Sequence, residues 1–235
     1  MKKICWFVLT AILLIVQIST SQSQVPVLGS ETLLEKLRLN KGLTGPDGAS
    51  YVDIVGDPYL FKNFTKGKLI LTDGKTFDII VRYDIYANQI HFKVKNEIFA
   101  IIHPENLTLI EADSLKFVYS KYVKSGGEDT SKDYSYFILK TDGVCKLLIK
   151  KQMRIQDAVP PQLYQEAKPA RFILTNDSYY LKLQDKPAVR IRNEKELLIV
   201  LAARKDAIAS FIHSNKLNAK EIEDIVKIVS YYNKL

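Results

Sequence analysis

Between residues 66 and 151 the chain alternates apolar and polar positions in short runs separated by turn dipeptides, as expected of an antiparallel meander. A strand sends successive side chains to opposite faces, so a half-buried strand must alternate with a period of two. Phe77, Ile79, Val81, Tyr83 and Ile85 alternate with Thr76, Asp78, Ile80, Arg82 and Asp84, and Ile90, Phe92 and Val94 alternate with His91, Lys93 and Lys95. Asp73-Gly74 and Asp142-Gly143 each stand between two such runs. They predict hairpins with type I′ turns, because Asp-Gly supplies the positive φ angles that those turns require. Ala87-Asn88 is a weaker third turn, since Asn tolerates the left-handed region and Ala does not.

The same reading places further strands at residues 51–55, 97–102, 107–110, 115–122, 134–141 and 144–150. Residues 124–133, with Gly126-Gly127, are a polar interruption expected to form a mobile hairpin tip. Pro160, Pro161 and Pro169 exclude a long regular element over residues 156–170, and strands resume at 171–175, 179–183 and 188–192. The period then changes. Asn193 with Glu196 is a capping-box start for a helix through Arg204, and Ile208, Phe211 and Ile212 mark a second helix. Asn218 with Glu221 repeats the cap before a stripe of Ile222, Ile225, Val226, Val229 and Tyr232, which has the spacing of a packing face. Near the start, Ser30 can cap a short helix carrying Leu33, Leu34 and Leu37. The expected fold is mainly β (α+β): an antiparallel β-meander forming a barrel-like or two-sheet body, with a short N-terminal helix and about three C-terminal helices.

The N-terminus changes the picture of where this fold works. Lys2 and Lys3 precede an apolar run from Ile4 to Ile18, followed by small residues through Ser23. That pattern predicts a secretory signal cut after Ser21 or Ser23, and the run of 15 residues is shorter than the ~20 that span a bilayer. The organisation is then residues 1–23 signal peptide, 24–192 β-rich body and 193–235 a helical segment packed on that body. Removal of the signal leaves Cys145 as the sole cysteine, so no internal disulfide is available. Cys145 shares a strand face with Leu147 and Ile149 and is expected to be a small buried hydrophobe. Net charge is +8, falling to +6 without Lys2 and Lys3, an excess that favours anionic surfaces without specifying a fold.

Candidate chemistry is sparse. His91, His103 and His213 are scattered and no Cys pair or His-Glu-x-x-His motif occurs, so neither a metal nor another cofactor is expected. No Gly-x-Ser-x-Gly elbow or phosphate-binding glycine loop occurs. Glu97, Glu105, Glu111 and Asp113 are the first acids to inspect for a glycosidase-like pair, which depends on spatial separation and not on sequence spacing. The one positive hint is a basic face: Arg82, His91, Lys93, Lys95, Lys140, Lys146 and Lys150 fall on polar positions of the meander strands, with Tyr134 and Tyr136 on the Lys140 side. Such a face suits an anionic envelope glycan, a lipid headgroup or an acidic protein; the alternative is that these lysines are ordinary solvated residues. Nucleic acid is not an expected partner of an exported chain without a recognition helix or RNA-binding aromatic signature. An apolar lipid cavity inside the sheet is a further option that alternation alone leaves open.

Gly56-Asp57-Pro58-Tyr59-Leu60, Arg82-Tyr83-Asp84-Ile85-Tyr86 with Gln89-Ile90, Pro169-Ala170-Arg171-Phe172 and the ending Tyr231-Tyr232-Asn233-Lys234-Leu235 resemble an uncharacterised family of exported proteins from Bacteroidetes bacteria. The resemblance spans most of the chain beyond the signal and implies location at the periplasm or cell surface. It transfers no catalytic residue. The functional expectation is an exported, non-enzymatic binding or envelope-associated protein; the alternative is a secreted hydrolase acting on a glycan or peptide through converging carboxylates.

Overall fold

The computed structural model of the chain describes residues 40–41, 51–94, 97–102, 104–123, 132–164 and 166–235. The expected signal peptide, the helix carrying Leu33, Leu34 and Leu37, Lys95, His103 and residues 124–131 of the hairpin tip expected at 124–133 lie outside the described residues; residues 132–133 of that tip belong to a strand. The strands are β1 (Asn40–Lys41), β2 (Thr65–Leu71), β3 (Thr76–Asp84), β4 (Gln89–Val94), β5 (Glu97–Ala100), β6 (Leu107–Ala112), β7 (Leu115–Val123), β8 (Lys132–Thr141), β9 (Cys145–Lys150), β10 (Met153–Gln156), β11 (Arg171–Leu174), β12 (Ser178–Leu183) and β13 (Ala188–Ile191). The helices are α1 (Glu194–Val200), α2 (Lys205–Ser214) and α3 (Ile222–Tyr232). The fold is mainly β with three C-terminal helices, as the periodicity predicts.

Its centre is a closed five-stranded barrel. β7, β13, β12, β9 and β8 pair in that order, and a β7–β8 pairing completes the ring. Four of the five contacts are antiparallel; the closing pair of β13 with β7, Ala188 opposite Tyr122, is parallel. A small barrel leaves an interior that side chains can fill. Tyr122, Phe137, Leu148, Tyr180 and Ala188 fill this one, with Val118 and Leu139 packed against them. The rings of Tyr122, Phe137 and Tyr180 meet edge to face at centroid distances of 5.1–5.7 Å. The interior is therefore packed with side chains.

The outside of the barrel has two clients. β6, β2, β3, β4 and β5 continue the sheet from the first residues of β7 and curl back over β7 and β8. Phe77, Ile79, Val81 and Tyr83 face Phe117, Tyr136 and Ile138 in that core, and Tyr83 lies 5.5 Å from Phe117 and 6.2 Å from Tyr136. The curl is pinned by Asn88 in the β3–β4 turn. Its side-chain oxygen accepts from the Tyr83 hydroxyl, the Ser135 hydroxyl and the Tyr136 amide. On the other side Cys145, Leu147, Leu181 and Ile191 pack against Leu197, Leu201, Ile208, Ile212, Ile225, Ile228 and Val229 of the helical segment.

Local details depart from expectation at several places. Between β2 and β3, Gly74 alone has a positive φ of +81°, and the loop closes by Gly74 N–H to Leu71 O and Leu71 N–H to Lys75 O. This is a three-residue connection with a left-handed glycine, not a two-residue type I′ turn. Residues 51–55 are not a strand; only Val55 makes an isolated parallel bridge, to Arg171. At α1, Asn193 accepts from the Glu196 amide at 2.9 Å, but the Glu196 carboxylate reaches the Arg192 amide instead of closing the box on Asn193. Before α3, Asn218 accepts from the Lys220 amide, and Asp224, not Glu221, accepts from the Asn218 amide.

Candidate functional site

The six described basic candidates do not form one face. Arg82 and His91 are cross-strand partners on β3 and β4, and Lys93 follows on the same side. Residues 51–64 cover that side. The Arg82 guanidinium lies 3.3 Å above the Tyr59 ring and 4.5 Å from that of Phe64, and Lys93 Nζ lies 4.6 Å from the Phe64 ring. His91, expected on a polar strand face, is only 1% exposed against Tyr59, and neither ring nitrogen has a hydrogen-bond partner. Burial, reinforced by the Arg82 charge, lowers its pKa to about 4. Asp84 is buried beside them, accepting from the Ala87 amide and the Tyr51 hydroxyl; burial raises its carboxyl against those hydrogen bonds. Arg82 and Lys93 are thus partly covered by aromatic rings, with His91 and Asp84 buried beneath.

Lys140 is the extra residue of a β-bulge. The register steps from Leu139 opposite Leu148 to Thr141 opposite Leu147, and Lys140 stands exposed between them. Lys146 and Lys150 instead lie on the side of β9 that carries Leu148 into the barrel, one toward each end. Lys146 pairs directly with Lys182 across the strands. Asp142 holds Lys146 at 2.9 Å, and the Lys186 carbonyl accepts from Lys182 at 2.9 Å. Burial lowers the Lys182 pKa, with Asp185 opposing and Lys146 adding.

The other end has the more open chemistry. Lys150 Nζ donates to the Tyr122 hydroxyl at 2.9 Å and lies 4.1 Å from that ring. Lys150 is paired with Ser178, Ser178 adjoins Tyr179 opposite Ile191, and Tyr180 is paired with Arg190. Strand alternation thus sends Arg190 and Arg192 to the same side as Tyr180 and Lys150. Burial raises the Tyr180 hydroxyl, and the Arg190 and Arg192 charges both work against that shift. Arg192 also contacts Glu196 at 3.3 Å. The half-buried Arg190 guanidinium makes no hydrogen bond or ion pair among the described residues. Asp133, opposite Tyr122, is the acid on the neighbouring strand, while Asp177 is taken by Lys151 at 2.8 Å. The result is three cations around the rim of an aromatic-plugged barrel. Arg190 and Arg192 were absent from the basic face expected from the sequence; the alternation of Val189 and Ile191 with the two arginines was the signal for them.

Of the acids considered for hydrolysis, Glu111 and Asp113 lie together and Glu97 and Glu105 lie on other elements. Glu97 is on β5 and Glu105 in the 3-10 turn Pro104–Asn106. Glu111 belongs to a ladder across four strands: Asp78 opposite Lys68, Lys68 opposite Glu111, and Glu111 opposite Lys116 at 3.5 Å. Alternating charges directly opposite one another stabilise a sheet. Asp113 adjoins this ladder, lining with it a shallow depression of about 450 Å³. Cys145 is buried between barrel and helices, which pushes its thiol up to about 12. Among the described residues no group of three or more His, Cys, Asp or Glu is placed to hold a metal ion, and no helix is long and apolar enough to cross a membrane.

Compared with protein-family models, curated proteins and solved structures, the chain matches none of them.

Proposed function

We propose that this chain is an exported, non-enzymatic binding component of the bacterial envelope, docking a phosphate or carboxylate group at the barrel rim formed by Lys150, Arg190 and Arg192. The observation that carries the reading is the half-buried Arg190, whose guanidinium has no hydrogen bond or ion pair among the described residues, on the strand face it shares with Tyr180 and Lys150. A guanidinium without a protein partner offers a planar fork of donors that matches an oxyanion. The expected signal sequence and the resemblance to exported Bacteroidetes proteins supply the location. The filled barrel favours a surface contact over carriage of an apolar ligand.

The test is co-sedimentation of residues 24–235 with isolated envelopes over a salt series. Wild type is compared with Lys150→Ala/Arg190→Ala/Arg192→Ala and with Lys93→Ala/Lys140→Ala. Each cation near an anionic surface is worth about 1 kcal/mol, so the rim variant should lose on the order of 100-fold in affinity at low salt. The second variant should bind nearly as wild type does. Equal loss in both variants, or no binding by wild type at low salt, would sink the reading.

A further inference from the structure

We propose that the β10–β11 ribbon is a lipid-docking element whose Leu163-Tyr164 tip enters the surface of a membrane carrying anionic headgroups. The ribbon is a separate two-stranded sheet in which Met153 to Gln156 pair with Leu174 to Arg171, extended by a bridge between Val159 and Lys168. Beyond that bridge Pro160-Pro161 stiffens the connection, and Leu163 and Tyr164 stand 85% and 97% exposed. Tyr164 has a φ of +66°, which an aromatic residue adopts rarely and at a cost in backbone strain. Two adjacent apolar side chains held out this fully are unusual for a chain whose other strands bury one face so thoroughly.

The root of the ribbon is fixed, so the tip is presented and not merely loose. The Val55 amide donates to Ala170 O at 2.8 Å and the Phe172 amide to Val55 O at 3.0 Å. The Phe172 ring meets Tyr51 at 5.3 Å and Tyr86 at 5.5 Å. The ribbon also springs from the barrel rim: Gln152 accepts from the Thr175 amide and from the Ser178 hydroxyl, next to Lys150. Arg154, Lys168 and Arg171 are exposed along it, against Asp157 and Glu166.

Lipid is favoured over a protein partner on grounds of area and chemistry. A stable protein interface buries about 800 Å² on each side with matched shape, far more than two side chains supply. A bilayer needs no complementary pocket. Leucine partitions into hydrocarbon, tyrosine prefers the headgroup level, and flanking cations meet anionic lipid. The proposal rests on the barrel-rim reading for its charge, but not for its tip.

The experiment uses residues 24–235 with vesicles of phosphatidylcholine alone and with added phosphatidylglycerol. The sole tryptophan, Trp6, lies in the removed segment, so Tyr164→Trp gives a single reporter at the tip. Its emission is expected to shift to the blue on adding anionic vesicles. Leu163→Asp/Tyr164→Asp is expected to lower vesicle affinity at least about tenfold, since burial of one large apolar side chain is worth that much. Both residues are exposed, so the melting transition should not move. Lys150→Ala/Arg190→Ala/Arg192→Ala should lose the preference for anionic vesicles and keep the emission shift. Vesicle binding without an emission shift overturns the tip and leaves the rim, whereas no binding to either composition overturns the lipid proposal and leaves the rim to the envelope test. If Leu163→Asp/Tyr164→Asp instead changes the sedimentation mass without vesicles, the tip is a contact between copies of the chain and the lipid proposal falls.

Discussion

The imidazole of His91 lies against Tyr59 and opposite Arg82 with neither nitrogen hydrogen-bonded, and its pKa in the fold is about 4. In the unfolded chain it titrates near the ordinary value of about 6.5. Between those values the unfolded state binds a proton that the folded state refuses, so stability falls as pH drops through this window and is unaffected above it. The loss is on the order of 3 kcal/mol by the lower end. Asp84 works in the opposite sense: its raised carboxyl takes up a proton earlier in the folded state, offsetting part of that loss. Urea midpoints of the wild type should therefore fall between pH 7 and about pH 4.5, and His91→Phe should remove most of that slope. A wild-type midpoint that does not move over this range would contradict a buried neutral imidazole. Nothing in the alternation of Ile90, His91 and Phe92 marked His91 as interior, because the aromatic cover over it comes from residues 51–64, remote in sequence.

At the level of elements, the C-terminal segment clasps a barrel hairpin through one side chain. Asn233, just beyond α3, accepts from the Cys145 amide at 2.8 Å and donates to the Cys145 carbonyl at 2.9 Å, in the manner of a neighbouring strand. It also reaches the Asp142 carbonyl at 3.3 Å. Gly143 makes room for it: φ there is +140°, and a Cβ would sit 2.6 Å from the Asn233 amide nitrogen. Asn233→Ala strands both Cys145 groups at a cost of about 1–3 kcal/mol. Gly143→Ala forces a collision with the same amide. The two costs should not add, since removing the Asn233 side chain removes the collision, and a double-mutant cycle by chemical denaturation should give a coupling of about 1 kcal/mol or more. Strict additivity would mean that Gly143 makes no room that the Asn233 side chain needs. The Asp142-Gly143 dipeptide marked the position of this hairpin but not a type I′ turn, since Gly143 has a positive φ and Asp142 does not, and its glycine serves an inter-element contact that no local turn rule contains.

For the whole molecule, the barrel is the shared wall of two outer cores, so its strands cannot stand without both coverings. Cys145, Leu147, Leu181 and Ile191 would face water if the helical segment were absent. Each large side chain so exposed costs about 1.5–3 kcal/mol, and a domain has only about 5–15 kcal/mol in all. Residues 24–192 alone should show no cooperative urea transition, where residues 24–235 show one; an intact transition in the shorter chain would make the helices an independent appendage. The sequence by itself determined that strands exist where apolar and polar positions alternate, where hairpins turn, and where the period changes to that of helices. Those features are local, set by backbone geometry within a few residues. Only the tertiary structure decided which face of a strand is inside. On β9 the positions marked polar by Lys146 and Lys150 point into the barrel with Leu148, and the apolar face of Cys145 and Leu147 is covered by helices. Closure of the ring also depends on Ala188 meeting Tyr122, two residues far apart in the chain. Barrel closure turns one face of each strand toward a common interior, and that choice, like the gathering of Lys150, Arg190 and Arg192 on one rim, depends on pairings that no local period encodes.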